Sequence, residues 1–269
     1  PPTPTSRAYH RISASLNKNN FNATKKFSFV HISKCAGATF IRLLKDAPLN
    51  VCPRAEAGFE KSAWYQQHTS KCKDSDYKLV SLRSPRHHVY SLFTECKYAP
   101  WGRNMTNNTG FPRTNDTGAE CWDCDERDID MWLGSFLPMG PDTEGYYHCY
   151  HPANYQSRAL TSHQKKPHNV SNHQFEPDFD LAIRTYREFN FIALADFVHE
   201  SRCLLYYRLG PGAPESTTAY LNSTCRCEDK ADVGDVLVSH HALGHRSVLR
   251  NLPPETLVKI ENLTQVDAK

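Results

Sequence analysis

Apolar and polar positions along the chain follow two alternating rhythms. Residues 27–32 (FSFVHI) are an apolar run of strand length. Residues 38–46 (ATFIRLLKD) then place Phe40, Ile41, Leu43 and Leu44 at the spacing of one helix face, and Pro48 ends that helix. Residues 77–82 (YKLVSL) read as a second strand. Pro85 follows in the first turn of a helix running to about 97, a place that proline tolerates. Helical spacing returns at about 128–137, 152–161 and 178–188, with a third buried strand over 189–194. Asp196 is placed to cap a helix through Leu209, and an amphipathic helix is expected over 254–266. Strands alternating with helices predict an α/β fold, a central parallel sheet flanked by helices.

The segments without this rhythm set the domain limits. Residues 1–26 read as the remnant of a polar stem, and 27–269 as a single domain carrying a polar, Cys-containing excursion at about 98–150. A length of 269 residues suits one large domain. The formal net charge of +3 is too weak to imply a nucleic-acid binder, although a local basic cluster could still hold a small anion. No apolar run reaches the length of a membrane span and no signal peptide is visible, so an anchor is expected only in an N-terminal segment outside this sequence.

Ten cysteines and seven N-x-S/T sequons (Asn22, Asn104, Asn107, Asn115, Asn169, Asn222 and Asn262) add a compartment. Roughly two sequons are expected by chance. The excess, with the cysteines, points to an oxidising, glycosylating secretory lumen. A zinc site from Cys121, Cys124, Cys225 and Cys227 is the competing reading, with irregular spacing in its second pair. Cys52 with Cys72 is the favoured local disulfide, and Cys35 and Cys203 are the expected free thiols.

The strongest chemical signal is FVHISKCAGATF, residues 29–40: a strand, a tight loop with Lys34 and Gly37, and a helix start. That order aims backbone N–H groups and a helix N-terminus at an anion, beside a lysine ammonium. Lys34 precedes Gly37, whereas a Walker A loop places its lysine after the glycines, so a nucleotide kinase is disfavoured. SLRSPRHHVYSLF, residues 81–93, repeats strand-before-helix, with Arg83 at the strand end and Ser91 eight residues on. An arginine fork and a hydroxyl can embrace one phosphate.

The first loop resembles the 5′-phosphosulfate loop of sulfotransferases that use 3′-phosphoadenylyl sulfate (PAPS), and the second resembles their 3′-phosphate element. NYQSRAL (154–160) resembles an N-x-Q-[TS]-R-x-L run of Golgi carbohydrate sulfotransferases, notably the heparan sulfate 2-O and 6-O enzymes. Residues 189–210 and the tail from HHALGHRSVLR onward resemble their late strand, cofactor-gripping loop and closing helix. Cys35, Ala36, Ala38 and Ala195 depart from the commoner residues of that pattern. The resemblance implies a P-loop-like sulfotransferase fold and a Golgi-lumenal, type II anchored enzyme moving a sulfuryl group from PAPS to a hydroxyl of a glycan or glycosaminoglycan. It implies Lys34, Cys35, Ala36, Gly37, Ala38, Thr39, Arg83, Ser91, Arg246 and Ser247 as PAPS-binding residues, Lys34 as catalytic cation, and no metal. The general base of related enzymes falls between the first helix and second strand. Glu56 fits best there, with His68 and Glu60 as alternatives.

Other titratable residues carry weaker expectations. His31 reads as a core histidine, and His87, His88, His240 and His241 as surface pairs. Arg42, Lys45, Arg54, Arg103 and Arg158 could line a groove for an anionic glycan. A protein-tyrosine sulfotransferase and a secreted, non-catalytic glycan-binding protein are the two competing functions.

Overall fold

The structure is a computed structural model and describes residues 25–46, 49–52, 72, 74–99, 102, 125–134, 136–137, 150–161, 177–209, 219, 225, 249 and 252–269. Four strands, β1 (Lys26–Val30), β2 (Asn50–Val51), β3 (Tyr77–Leu82) and β4 (Phe191–Leu194), form one sheet in the order β2-β1-β3-β4. Every neighbouring pair is parallel. Among the described residues seven helices accompany them: α1 (Gly37–Asp46), α2 (Pro85–Tyr98), α3 (Asp125–Gly134), α4 (Tyr155–Thr161), α5 (Phe179–Arg187), α6 (Val198–Leu209) and α7 (Pro254–Leu263).

Strand alternation divides the core into two layers. Phe27 and Phe29 of β1, Leu79 of β3 and Phe191 and Ala193 of β4 face one side, where α1 adds Phe40, Leu43 and Leu44 and α6 adds Leu205, Tyr206 and Leu209. Val30 and Val80 face the other, under Val89, Leu92 and Phe93 of α2, Ile129, Trp132 and Leu133 of α3, Tyr155 of α4 and Ile260 and Leu263 of α7. Ring contacts run through this second layer: Phe93 with Trp132 at 5.7 Å, Trp132 with Phe136 at 5.2 Å, and Phe136 with His151 at 4.6 Å. The α/β expectation is met by a four-stranded parallel sheet with helices on both faces.

Strand order fixes where a crevice opens. β1 leads through α1 to β2 on one side, whereas β3 and β4 extend on the other. Crossovers keep one hand, so a reversal of direction sends successive helices to opposite faces, as α1 and α2 go here. The loops leaving the carboxyl ends of β1 and β3 therefore diverge, and open α/β sheets hold ligands at such a switch point.

Several elements differ from the sequence reading. The two-residue β2 is too short for periodicity to reveal. Asp196 does not cap α6. It lies in a single 3-10 turn, Ala195–Phe197, and its carboxylate is taken by residues near β3. Cys52 pairs with Cys72 (Cα–Cα 5.9 Å), and Cys35 is a buried free cysteine, both as expected. Cys203 is not free but bonded to Cys225 (Cα–Cα 5.6 Å). The apolar face of α6 is Leu205, Tyr206 and Leu209, and Cys203 sits at its half-buried edge, within reach of the later segment. That bond also removes Cys225 from any zinc set. No helix among the described residues is long and apolar enough to cross a membrane.

Candidate functional site

The β1–α1 loop is built under strain. Lys34 and Ala36 both have left-handed backbones, with φ of 64° and 56°. Non-glycine residues there cost on the order of 1–3 kcal/mol each, and such strain concentrates at functional sites. The loop is fixed from three sides. Cys35 N–H donates to Ile32 O at 3.2 Å. His88, on α2, donates from Nε2 to Ser33 O at 2.9 Å. The His31 ring fills the space beside Gly37, where a Cβ would come within 1.7 Å of its Cδ2. A side chain at position 37 therefore requires the buried His31 ring to shift.

The same loop leads directly into the N-terminus of α1. Phe40 N–H donates to Ala36 O at 3.0 Å as the helix begins. Ala36 has no side-chain oxygen with which to cap the turn. The N-terminus of a ten-residue helix thus faces the switch point, a setting that favours an anion.

Two cations converge there from loops 49 residues apart in sequence. Arg83, just after β3, donates from Nη1 to Lys34 O at 3.2 Å, so its guanidinium rests against the lysine loop. Its Nε stands 3.5 Å from Asp196 Oδ1, an ion pair of partly exposed groups, while Asp196 Oδ2 accepts from Ser84 N–H at 2.7 Å. Lys34 Nζ pairs with Glu95 Oε2 at 2.6 Å, with both side chains more than four-fifths covered. Glu95 belongs to α2, seven residues along from His88 and four from Ser91, so these three share one helix face. Ser91 is half-buried on it, between the histidine that holds Ser33 and the carboxylate that holds Lys34.

Gln156 locks the two loops together. Its Oε1 accepts from Arg83 N–H at 2.8 Å and its Nε2 donates to Arg83 O at 2.8 Å, as a paired strand would. The same Oε1 accepts the Cys35 thiol at 3.4 Å. Burial pushes that thiol strongly up against the pull of Arg83, leaving it protonated. Asp267 holds Gln156 in turn, its carboxylate accepting from the N–H groups of Gln156 (3.1 Å) and Ser157 (2.8 Å). Asn154, with a left-handed φ of 42°, receives Val266 N–H on its side-chain oxygen at 2.8 Å. The NYQSRAL run is therefore the scaffold behind the loops.

The structure brings together Lys34, Cys35, Ala36, Gly37, Ala38, Thr39, Arg83 and Ser91. Glu56, His68, Arg246 and Ser247 lie outside the described residues, as do Glu60, Arg54 and Arg103. Cys35 departs from the expected ligand contact, because its thiol is buried on Gln156 and its N–H is spent on Ile32. His88 is no surface histidine: it is 1% exposed, and burial, offset by its bond to Ser33, holds it down to about 3. Arg158 lines no groove. It is buried, donating from Nε to Ala153 O at 2.7 Å and from Nη2 to His151 O at 2.6 Å. Glu95, Asp196, Gln156 and His88 were missed as site residues. Gln156, His88 and Asp196 lay in segments that the sequence had singled out, whereas Glu95 lies two residues past the 81–93 segment.

Comparison of the chain with models of protein families, with curated proteins and with solved structures gives no match.

Proposed function

We propose that this chain is a sulfotransferase that moves a sulfuryl group from PAPS to a hydroxyl of a glycan or glycosaminoglycan, built on the P-loop-like fold of that family. One observation carries the reading. The guanidinium of Arg83 is hydrogen-bonded to the backbone of Lys34, so two cationic loops meet at the switch point of a parallel sheet. A nucleotide with phosphate at one end and phosphosulfate at the other matches such a pair. The donor set fits it: an ammonium, a guanidinium fork, a helix N-terminus and a hydroxyl at Ser91.

PAPS supplies an activated sulfuryl group, and the acceptor oxygen displaces adenosine 3′,5′-bisphosphate as its S–O bond breaks. Lys34 and the first N–H groups of α1 hold the sulfated end and offset charge on the leaving oxygen. Arg83 and Ser91 hold the 3′-phosphate. The acceptor's proton passes to a base in the segment stapled by Cys52–Cys72, where Glu56 is the first choice and His68 and Glu60 the alternatives. Arg246 and Ser247 are assigned to the same 3′-phosphate by the family resemblance. The sequons and disulfides support a Golgi-lumenal setting.

The test is calorimetric titration of adenosine 3′,5′-bisphosphate into wild type, Lys34→Ala and Arg83→Ala. Micromolar binding weakened at least tenfold by each change is expected, and no binding, or binding indifferent to both, refutes the reading. Transfer of radiolabelled sulfate across sulfated polysaccharides and acidic tyrosine peptides then separates a glycan acceptor from tyrosine. Binding without transfer to either acceptor returns the chain to the non-catalytic class.

A further inference from the structure

We infer that Glu95 is an exchangeable counter-ion of Lys34, a selectivity residue that turns away lone anions and yields to a ligand anchored at two points. The inference rests on the nucleotide reading above and deepens it.

Each cation of the crevice has one carboxylate, but the two pairs are built differently. Asp196 is tied down, since one oxygen faces Arg83 at 3.5 Å while the other accepts Ser84 N–H at 2.7 Å. Its backbone is set in the 3-10 turn that leaves β4. Glu95 rests on a single contact, the 2.6 Å bond to Lys34 Nζ, and its carboxylate has no second partner among the described residues. Its helix cannot withdraw, because His88 on the same face is buried and bonded to Ser33 O. The side chain can withdraw, because three rotatable bonds separate that carboxylate from the backbone.

The consequence is competition for one ammonium. Any anion that reaches Lys34 meets the Glu95 charge and has to take its place. The pair is largely shielded from solvent, where attraction and like-charge repulsion are stronger than in water. An inorganic anion gains only the lysine and the helix N-terminus beside it. A nucleotide bisphosphate also gains Arg83, from which it can drive Glu95 aside. Discrimination through a built-in repulsive element is a general route to specificity. Glu95 is thus a positioning residue, acting through Lys34.

Calorimetry with two probes, sodium sulfate and adenosine 3′,5′-bisphosphate, tests this on wild type, Glu95→Gln, Glu95→Asp and Lys34→Ala/Glu95→Gln, with thermal melts of each. Glu95→Gln should bind sulfate at least tenfold tighter than wild type, with a smaller gain for the bisphosphate. Both gains should vanish on the Lys34→Ala background. A carboxylate that merely supports the fold would give the opposite sign, weaker binding and a lower melt. Should Glu95→Gln melt early, Glu95→Asp decides, since its shorter arm loosens the contact and should still tighten sulfate binding. Unchanged or weaker sulfate binding in both variants overturns the inference. Failure of the bisphosphate to bind any variant refutes the nucleotide reading instead, while the sulfate arm still decides Glu95.

Discussion

Single residues in this site act mostly by holding backbone. Gly37 lies against His31 with no room for a methyl group. Gly37→Ala should therefore cost about 3 kcal/mol, read as a lowered urea midpoint, and should loosen bisphosphate binding because the same ring borders the loop. Gln156 satisfies both polar groups of the Arg83 backbone. Gln156→Leu strands them and should cost about 2–3 kcal/mol, whereas Gln156→Glu keeps the acceptor and should cost less; denaturant unfolding of the two separates these outcomes. His88 and His151 are both held below their ordinary values by burial, His88 to about 3. Unfolded, each titrates near 6.5, so below that pH the unfolded chain binds more protons than the folded one. Their contribution is fully present above about pH 6.5 and is lost as pH falls toward 3. The pair should remove roughly 4 kcal/mol between pH 7 and 5, visible in urea titrations at the two values. His88→Gln should flatten that slope, and an equal slope in the variant would assign the loss elsewhere.

Elements were legible where their residues obey one rule and illegible where tertiary partners decide. β3 and α2 were readable from YKLVSL and from Pro85, whose fixed φ suits a helix start. Asp196 misled because a carboxylate before a helix usually caps it, whereas here the N–H of Ser84, 112 residues away, claims it. His88 misled for the same reason: a histidine pair on a helix looks exposed until the loop that covers it is known. The Cys52–Cys72 pair was readable from proximity, and it closes a loop of 20 residues around the region expected to carry the base. Cys52→Ala/Cys72→Ala should lower stability by about 3 kcal/mol in melts. On the proposed function, sulfate turnover should fall further than bisphosphate affinity, since the staple borders the base and not the cation loops. Equal losses in both would place the staple's effect on the fold alone.

At the scale of the molecule, the alternating rhythm was enough for the α/β class, but strand order was not, since no local signal states which strand neighbours which. That order makes the site, because β1 lying beside β3 sets the Lys34 and Arg83 loops side by side. The Asp267 carboxylate, which accepts two N–H groups at the start of α4, reaches the site through Gln156 from more than a hundred residues away. Asp267→Ala should cost about 1–2 kcal/mol in unfolding experiments and weaken bisphosphate binding, and an unaltered affinity would detach this tail from the crevice.

The same tail has a bearing on biosynthesis. A ribosome delivers β1, β3 and α4 well before residue 267, yet Gln156 is braced only once that aspartate arrives. During synthesis Gln156 therefore joins the two cationic turns before its own brace, Asp267, has been made.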